Sequence, residues 1–396
     1  MVTIDKIYEA RKALEGVARV TPLTQAPRIG ETCYIKAENL QLTGAFKIRG
    51  AYNKMRQLTK EEAAKGVVAC SAGNHAQGIA LTATMLGIKS VICMPAGAPL
   101  AKVENTKNYG AEVVLVPGIY DDAAAEAQRL HDEKGYTFAH PFNDEAVIAG
   151  QGTIALEILD QLPDVEQIVV PIGGGGLISG VAIAAKTLKP EVKVIGVQAA
   201  TVPSMKVSVE KGAITTVPDG ATIADGIHVL TPGTLTYEAV SKYVDEVVTV
   251  SEDEIAAAIL SLLEAQKTVA EGAGATTVAA YMFKKIDTKL KTVCVVSGGN
   301  VDVTTLSRII TRGLTKTGRI LEINTKIEDK PGSLIKLLQV VSETGANVLS
   351  VSHEREDKDS DVSACVVRMV VETRNADHVN DIYKKMKKSG YSILEK

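Results

Sequence analysis

The chain has 396 residues, 45% hydrophobic and 23% charged, with a formal net charge of −3. Its length predicts two or three domains, and its composition is that of a folded soluble protein rather than a disordered one. The charge excludes the basic footprint of a nucleic-acid binder, and no run reaches the ~18 apolar residues of a membrane span.

Residues 1–16 mix Asp5, Lys6, Glu9, Arg11 and Lys12 with apolar side chains and lack the apolar core of a signal peptide. Cys33, Cys70, Cys93, Cys294 and Cys365 are dispersed, without zinc-ligand spacing, and read as buried reduced thiols of a cytoplasmic protein.

From Val67 onward short β-branched runs alternate with amphipathic stretches. The strand Val67–Cys70 precedes a helix over His75–Leu86, Ser90–Met94 precedes Pro99–Tyr109, and Glu112–Val116 precedes Tyr120–Lys134. Gln167–Ile172 precedes Leu177–Leu188, Val192–Gln198 follows, and Lys291–Val296 precedes Val303–Arg312. Continuous apolar strands separated by helices predict an α/β architecture with parallel sheets covered on both faces. Right-handed crossovers would set the loops after the strands along one edge, where ligands of such sheets bind.

The pattern changes near Thr317. Ile320–Ile327 alternates as a half-exposed strand, Asp329-Lys330-Pro331-Gly332 is a turn, and Ser333–Ser342 reads helical. Gly345–Glu354 and Val362–Glu372 read as strands around a charged, solvated tip at 354–361. Asp377–Lys388 reads helical, and Tyr391–Leu394 could close the sheet. This is a ferredoxin-like βαββαβ unit. The domains are drawn at 1–316 and 317–396.

Several residues in this frame can carry chemistry. Lys47, after Phe46 in a glycine-flanked run, is an amine that desolvation can turn into a nucleophile and base, although a lone lysine is more often solvated scaffold. Ser71-Ala72-Gly73-Asn74-His75 joins a strand to a helix. It offers either backbone N–H groups and Asn74 to an anion such as a carboxylate, or simply an N-cap at Ser71 or Asn74. Gly173-Gly174-Gly175-Gly176 lets the backbone approach a phosphate closely, at the positive end of the helix that starts near Leu177. Ser179 stands where a GxGxxG motif needs its third glycine, and no Gly-Lys-Ser/Thr follows, so a nicotinamide or nucleotide site is poorly supported. Ser297-Gly298-Gly299-Asn300 repeats the strand–glycine–helix arrangement with one hydroxyl, a ligand or a cap. Arg49 reads as structural, and Asp225 and Glu271 read as acids that cap helices or position loops.

Gly44-Ala45-Phe46-Lys47-Ile48-Arg49-Gly50-Ala51, Ser71 to Gly78, Gly173 to Leu177 and Ser297 to Asn300 together resemble the motifs of fold-type II pyridoxal phosphate (PLP) enzymes, with the threonine dehydratase (threonine ammonia-lyase) family the nearest match. The resemblance covers roughly residues 1–315. It implies a tryptophan synthase β-like catalytic domain of two parallel-sheet subdomains. The remainder, with Asp329-Lys330-Pro331-Gly332-Ser333-Leu334, resembles an ACT regulatory domain.

The resemblance also implies roles. Lys47 would hold the cofactor as a Schiff base, with Phe46 on its ring. Gly173, Gly174, Gly175 and Gly176, with the Leu177 amide, would bind the phosphate. Asn74 would meet the phenolic oxygen, and Ser71, Ala72, Gly73, Asn74 and His75 would grip the substrate carboxylate. Ser297 would meet the pyridine nitrogen, where a neutral hydroxyl favours direct β-elimination over transamination. L-threonine would give 2-oxobutanoate and ammonia, and L-serine pyruvate, with freed Lys47 taking the Cα proton.

Serine racemase is similar in all four motifs but carries a serine where this chain has Ala72, which cannot move a proton on the second face of Cα; the dehydratase form of the same loop also disfavours cysteine synthase. A non-catalytic amino-acid sensor is an alternative of a different class, opposed by the retention of Lys47, Asn74, the tetraglycine and Ser297. The ACT resemblance implies either oligomerisation alone or an amino-acid effector, isoleucine or another branched-chain amino acid, near Asp329, Pro331, Gly332 and Asn347. A homodimer or homotetramer is expected, and metal ligands are not assigned.

Overall fold

The computed structural model describes residues 2–355 and 363–394, so 356–361 of the charged tip lie outside the described residues. Packing divides the chain between Asp302 and Val303, upstream of the boundary drawn from the sequence, because the helix Val303–Lys316 groups with the second unit.

The first unit contains β1 (Leu23–Gln25), β2 (Cys33–Ala37), β3 (Val67–Cys70), β4 (Ser90–Pro95), β5 (Glu112–Val116), β6 (Thr137–Phe138), β7 (Gln167–Pro171), β8 (Lys193–Ala199), β9 (Glu246–Val250) and β10 (Thr292–Val296). They form two sheets. The smaller, in the order β5-β4-β3-β6, is wholly parallel. The larger, β1-β2-β10-β7-β8-β9, is parallel except for the antiparallel edge strand β1. Every residue of β3, β7 and β10 is buried, as expected for strands covered on both faces.

The strand order fixes where a ligand can sit. In the small sheet β3 has its successor β4 on one side and β6 on the other. In the large sheet β7 lies between its successor β8 and β10. The order reverses at β3 and at β7, and such switch points open a crevice beyond the carboxyl ends of the strands. The loops after β3, β6, β7 and β10 are therefore the ones that can converge.

The second unit carries the helix Val303–Lys316, β11 (Ile320–Glu328), the helix Ser333–Ser342, β12 (Asn347–Glu354), β13 (Ala364–Glu372) and the helix Ala376–Lys388. Its sheet is antiparallel in the order β11-β13-β12. The chain end then returns to the outer edge of β11. Ile393 bridges Thr325, and the Leu394 N–H donates to the Asn324 carbonyl, which completes the ferredoxin-like strand order with a single bridge in place of a full strand. Leu321, Ile323 and Ile327 alternate inward and pack with Leu337, Val341, Met369 and Ile382.

Candidate active site

Lys47 is the first residue of the helix Lys47–Met55, and Phe46 is its N-cap. The Lys47 Nζ lies 5.3 Å from the Phe46 ring centroid and donates to the Pro141 carbonyl oxygen at 2.9 Å. Burial lowers this amine to about 8, against the pull of the Glu271 carboxylate. About a tenth of it is thus neutral and nucleophilic at pH 7, far more than for an exposed lysine.

Two residues on, Arg49 points into a buried ion cluster, with Glu38 at 2.8 Å and Glu157 at 2.6 Å, and Lys36 meets Glu157 at 2.5 Å. Burial alone would raise the Glu38 carboxyl, but Arg49 beside it holds it below its usual range. Arg49 is structural, as its place in the motif suggested. It clamps the helix that presents Lys47.

The loop after β3 leads into the helix Asn74–Leu86, whose N-cap is Gly73 and whose first turn has no side-chain cap. Neither Ser71 nor Asn74 caps it. Ser71 Oγ accepts from the Gly73 N–H at 3.1 Å, Ala72 packs against the small-sheet core, and Asn74 is already helical. The first-turn amides keep their capacity for an anion. His75 is buried, with Nε2 2.8 Å from the Ala139 carbonyl. Burial and then Lys47 push it down to about 3, so the ring is neutral and Nε2 carries the donated proton. Its ring ties the β3 loop to the β6 loop.

That β6 loop was not singled out in the sequence. His140 Nδ1 accepts from the Phe142 and Asn143 N–H groups at 3.2 and 2.8 Å, and burial lowers the imidazole to about 4. The turn so fixed aims the Pro141 carbonyl at Lys47 and lays Phe142 over the tetraglycine, where a Cβ at Gly174 would fall 2.4 Å from the ring. Gly175 caps the helix Gly176–Leu188 at φ +96°, a left-handed conformation that glycine adopts without strain, and no side chain caps this helix either. Gly173 and Leu177 flank the turn, Leu177 being buried in the helix's first turn.

Ser297 follows β10 and is buried, and its backbone carbonyl accepts from the Phe46 N–H at 3.1 Å. Its neighbour Asn300 donates to Asn74 Oδ1 at 2.7 Å. All four motifs therefore meet at one place, through Phe46–Ser297, Asn74–Asn300 and the Pro141–Phe142 link between Lys47 and the tetraglycine. Glu271 joins them. It stands at the N-cap position of the helix Gly272–Met282 but makes no cap bond, and instead accepts from Asn74 Nδ2 at 2.6 Å. Burial, and then Asp225, push it up to about 7. Capping is thus not its role. Asp225 does hold a loop, by pairing with Lys102 at 2.5 Å.

Residues 14–298 match the family model described as "Pyridoxal-phosphate dependent enzyme". The chain belongs to the pyridoxal-phosphate dependent enzyme family. It is 51% identical to the L-threonine ammonia-lyase of Thermotoga maritima over 99% of both chains. Among solved structures it is similar to the processed form of threonine deaminase isoform 2 from Solanum lycopersicum, with TM-score 0.75 and 35% identity over 78% of this chain and 87% of that one. It is also similar to maize serine racemase, with TM-score 0.74 and 37% identity over 80% and 98%.

The site fits the cofactor of this pyridoxal-phosphate family. It offers an amine near its titration point beside an aromatic ring, and a glycine turn opening an uncapped helix terminus of the kind that takes a phosphate. At the end of β10 stands a neutral hydroxyl rather than a carboxylate.

In the second unit Asp329, Pro331 and Gly332 form the turn before the helix Ser333–Ser342. Asp329 pairs with Arg355 at 2.9 Å. His353 and Cys365 converge on it, with donor atoms of the three residues within 4.8 Å of one another. Asn347 begins β12 beside Glu372, at the opposite end of the sheet from Asp329, and is not brought to that turn.

Proposed function

We propose that this chain converts L-threonine to 2-oxobutanoate and ammonia by PLP-dependent β-elimination, and L-serine to pyruvate by the same steps. The observation that carries the reading is the buried Lys47 amine, brought to about 8 where the four loops meet. The full-length likeness to a protein named L-threonine ammonia-lyase supports the substrate. When bound, PLP supplies an aldehyde for the substrate amine and an electron sink for the Cα–H bond pair.

The protein's own groups do the rest. The tetraglycine and the amides from Gly176 and Leu177 would hold the phosphate, Phe46 would flank the ring, Ser297 would serve its nitrogen, and Asn74 its phenolic oxygen. The amides from Ser71 to His75 orient the substrate carboxylate. Lys47, as a free amine, would take the Cα proton, and that proton balances the one the β-hydroxyl needs to leave as water. The resulting enamine tautomerises and hydrolyses to the 2-oxo acid and ammonia.

Ala72 carries no titratable group, which favours elimination over racemisation, since racemisation needs a group that can transfer a proton on each face of Cα. The test is to supply L-threonine and L-serine to PLP-loaded protein. Equimolar 2-oxobutanoate and ammonia are expected from threonine, whereas D-serine formed from L-serine without pyruvate would favour the racemase.

We assign catalysis to Met1–Asp302 and regulation to the unit from Val303 onward, in a cytoplasmic homodimer or homotetramer. β12 is an outer strand with Leu349 and Val351 exposed, and Ile335 is exposed on the helix Ser333–Ser342, which supports pairing between subunits. A branched-chain amino acid such as isoleucine is the proposed effector, at the turn Asp329–Gly332. Light scattering and threonine saturation curves with and without isoleucine test both points.

A further inference from the structure

The orientation of an asparagine amide is decided by its neighbours, because its two ends differ only in donating or accepting. Here the decision can be traced to a backbone atom. The Thr43 carbonyl can only accept, and Asn300 Nδ2 donates to it at 2.7 Å. The same Nδ2 donates its other hydrogen to Asn74 Oδ1 at 2.7 Å. Asn74 Oδ1 is thereby fixed as the acceptor end, and its Nδ2 faces Glu271 Oε1 at 2.6 Å. One hydrogen of Asn74 Nδ2 is left uncommitted among the described contacts.

Two glycines make room for this chain of bonds. A Cβ on Gly44 would fall 2.5 Å from Asn300 Oδ1, and one on Gly298 would fall 2.3 Å from Glu271 Oε1. The two lie in the lysine motif and in the Ser-Gly-Gly-Asn motif. The Glu271 backbone is pinned as well, its N–H donating to the Gly298 carbonyl at 3.1 Å.

We propose that Asn300 and Glu271 are positioning residues that lock the Asn74 amide with its donor end toward the Lys47 pocket, so that Asn74 serves the cofactor's phenolic oxygen only as a donor. The inference rests on the PLP reading above. It assigns the asparagine of the Ser-Gly-Gly-Asn motif and a glutamate outside all four motifs a shared task. Glu271 acts through its acceptor oxygen: any group that accepts from Asn74 Nδ2 at that place suffices.

The test compares wild type, Asn300→Asp, Glu271→Gln and Glu271→Ala, each converted to apoprotein and titrated with PLP. Cofactor affinity, the absorption maximum of the bound cofactor, and the unfolding midpoint of the apoprotein are recorded. In Asn300→Asp the new carboxylate cannot donate, so the Asn74 amide would turn round. Affinity should fall about tenfold, the scale of one buried hydrogen bond, and the absorption maximum should shift. Glu271→Ala should behave likewise. Glu271→Gln, which keeps an acceptor, should hold affinity within about threefold of wild type with an unmoved maximum. If Asn300→Asp fails to fold, the contrast between the two Glu271 variants decides. Wild-type affinity and maximum in Glu271→Ala would overturn the proposal, as would equal losses in Glu271→Gln and Glu271→Ala. A wild type that forms no Lys47-dependent band would instead overturn the PLP reading itself.

Discussion

Lys47 Nζ donates a hydrogen bond to the Pro141 carbonyl oxygen at 2.9 Å, which joins the start of one helix to a turn that His140 holds from within. The contact fixes the amine without neutralising it, since a carbonyl offers no countercharge. Burial then dominates, and the amine settles at about 8. A carboxylate in the same place would hold it fully protonated and inert.

Cofactor loading should follow that titration. Only the neutral amine attacks an aldehyde, so the rate at which apoprotein takes up PLP should climb as pH rises through about 8 and level off above it. Stopped-flow absorbance across pH 6 to ~10 measures this. A rate flat over that range would show that the amine is not the titrating group.

His75 makes the protein sensitive to acid. Its folded value of about 3 lies below the ordinary 6.5, so between those pH values the unfolded chain binds a proton that the native state refuses. Stability is complete above 6.5 and is lost as pH falls toward 3. His75→Gln, whose amide can still reach the Ala139 carbonyl, should flatten the stability–pH slope by up to ~1.4 kcal/mol per pH unit. Urea unfolding at a series of pH values tests it; an unchanged slope would rule out His75 as the source.

The Arg49 cluster should be costly to break and tolerant of nothing smaller. Arg49→Met leaves Glu38 and Glu157 buried beside a single cation, Lys36, and is expected to cost ~3–5 kcal/mol in unfolding free energy. Chemical denaturation measures this, and a loss below ~1 kcal/mol would mean that solvent reaches the cluster. PLP affinity should weaken in parallel, because the same helix carries Lys47.

Gly175→Ala should damage the phosphate turn. It places a Cβ at φ +96°, 2.7 Å from the Met205 methyl and 2.8 Å from Thr236 Cβ, and strain of ~1–3 kcal/mol is expected. Calorimetric titration with PLP should show weakened binding. Unaltered affinity would indicate that the phosphate sits elsewhere.

The fold was legible where burial made the chain uniform. β3 is apolar throughout, and β7 and β10 are apolar after Gln167 and Thr292 at their starts, because both faces are covered; the loops after them carry the glycines that mark the site. β6 was not legible. It has two residues, Thr137 and Phe138, and exists through its pairing with β3. β2 was hidden by Lys36, whose charge reads as exposed until Glu157, far along the chain, is seen to bury it. Glu271 looked like a helix cap because it precedes one. Its partner Asn74 is 197 residues away, and no local pattern encodes that contact. Phe142 and His140 escaped notice for the same reason: their loop follows a strand too short to predict.

The central claim is that Lys47, and no other lysine, holds the cofactor. Borohydride reduction of the PLP-loaded protein, followed by proteolysis and mass spectrometry, tests it directly. The account predicts a pyridoxyl adduct confined to the peptide containing Lys47 and absent from Lys47→Ala. An adduct on a different lysine, or none in protein that has bound PLP, would contradict it.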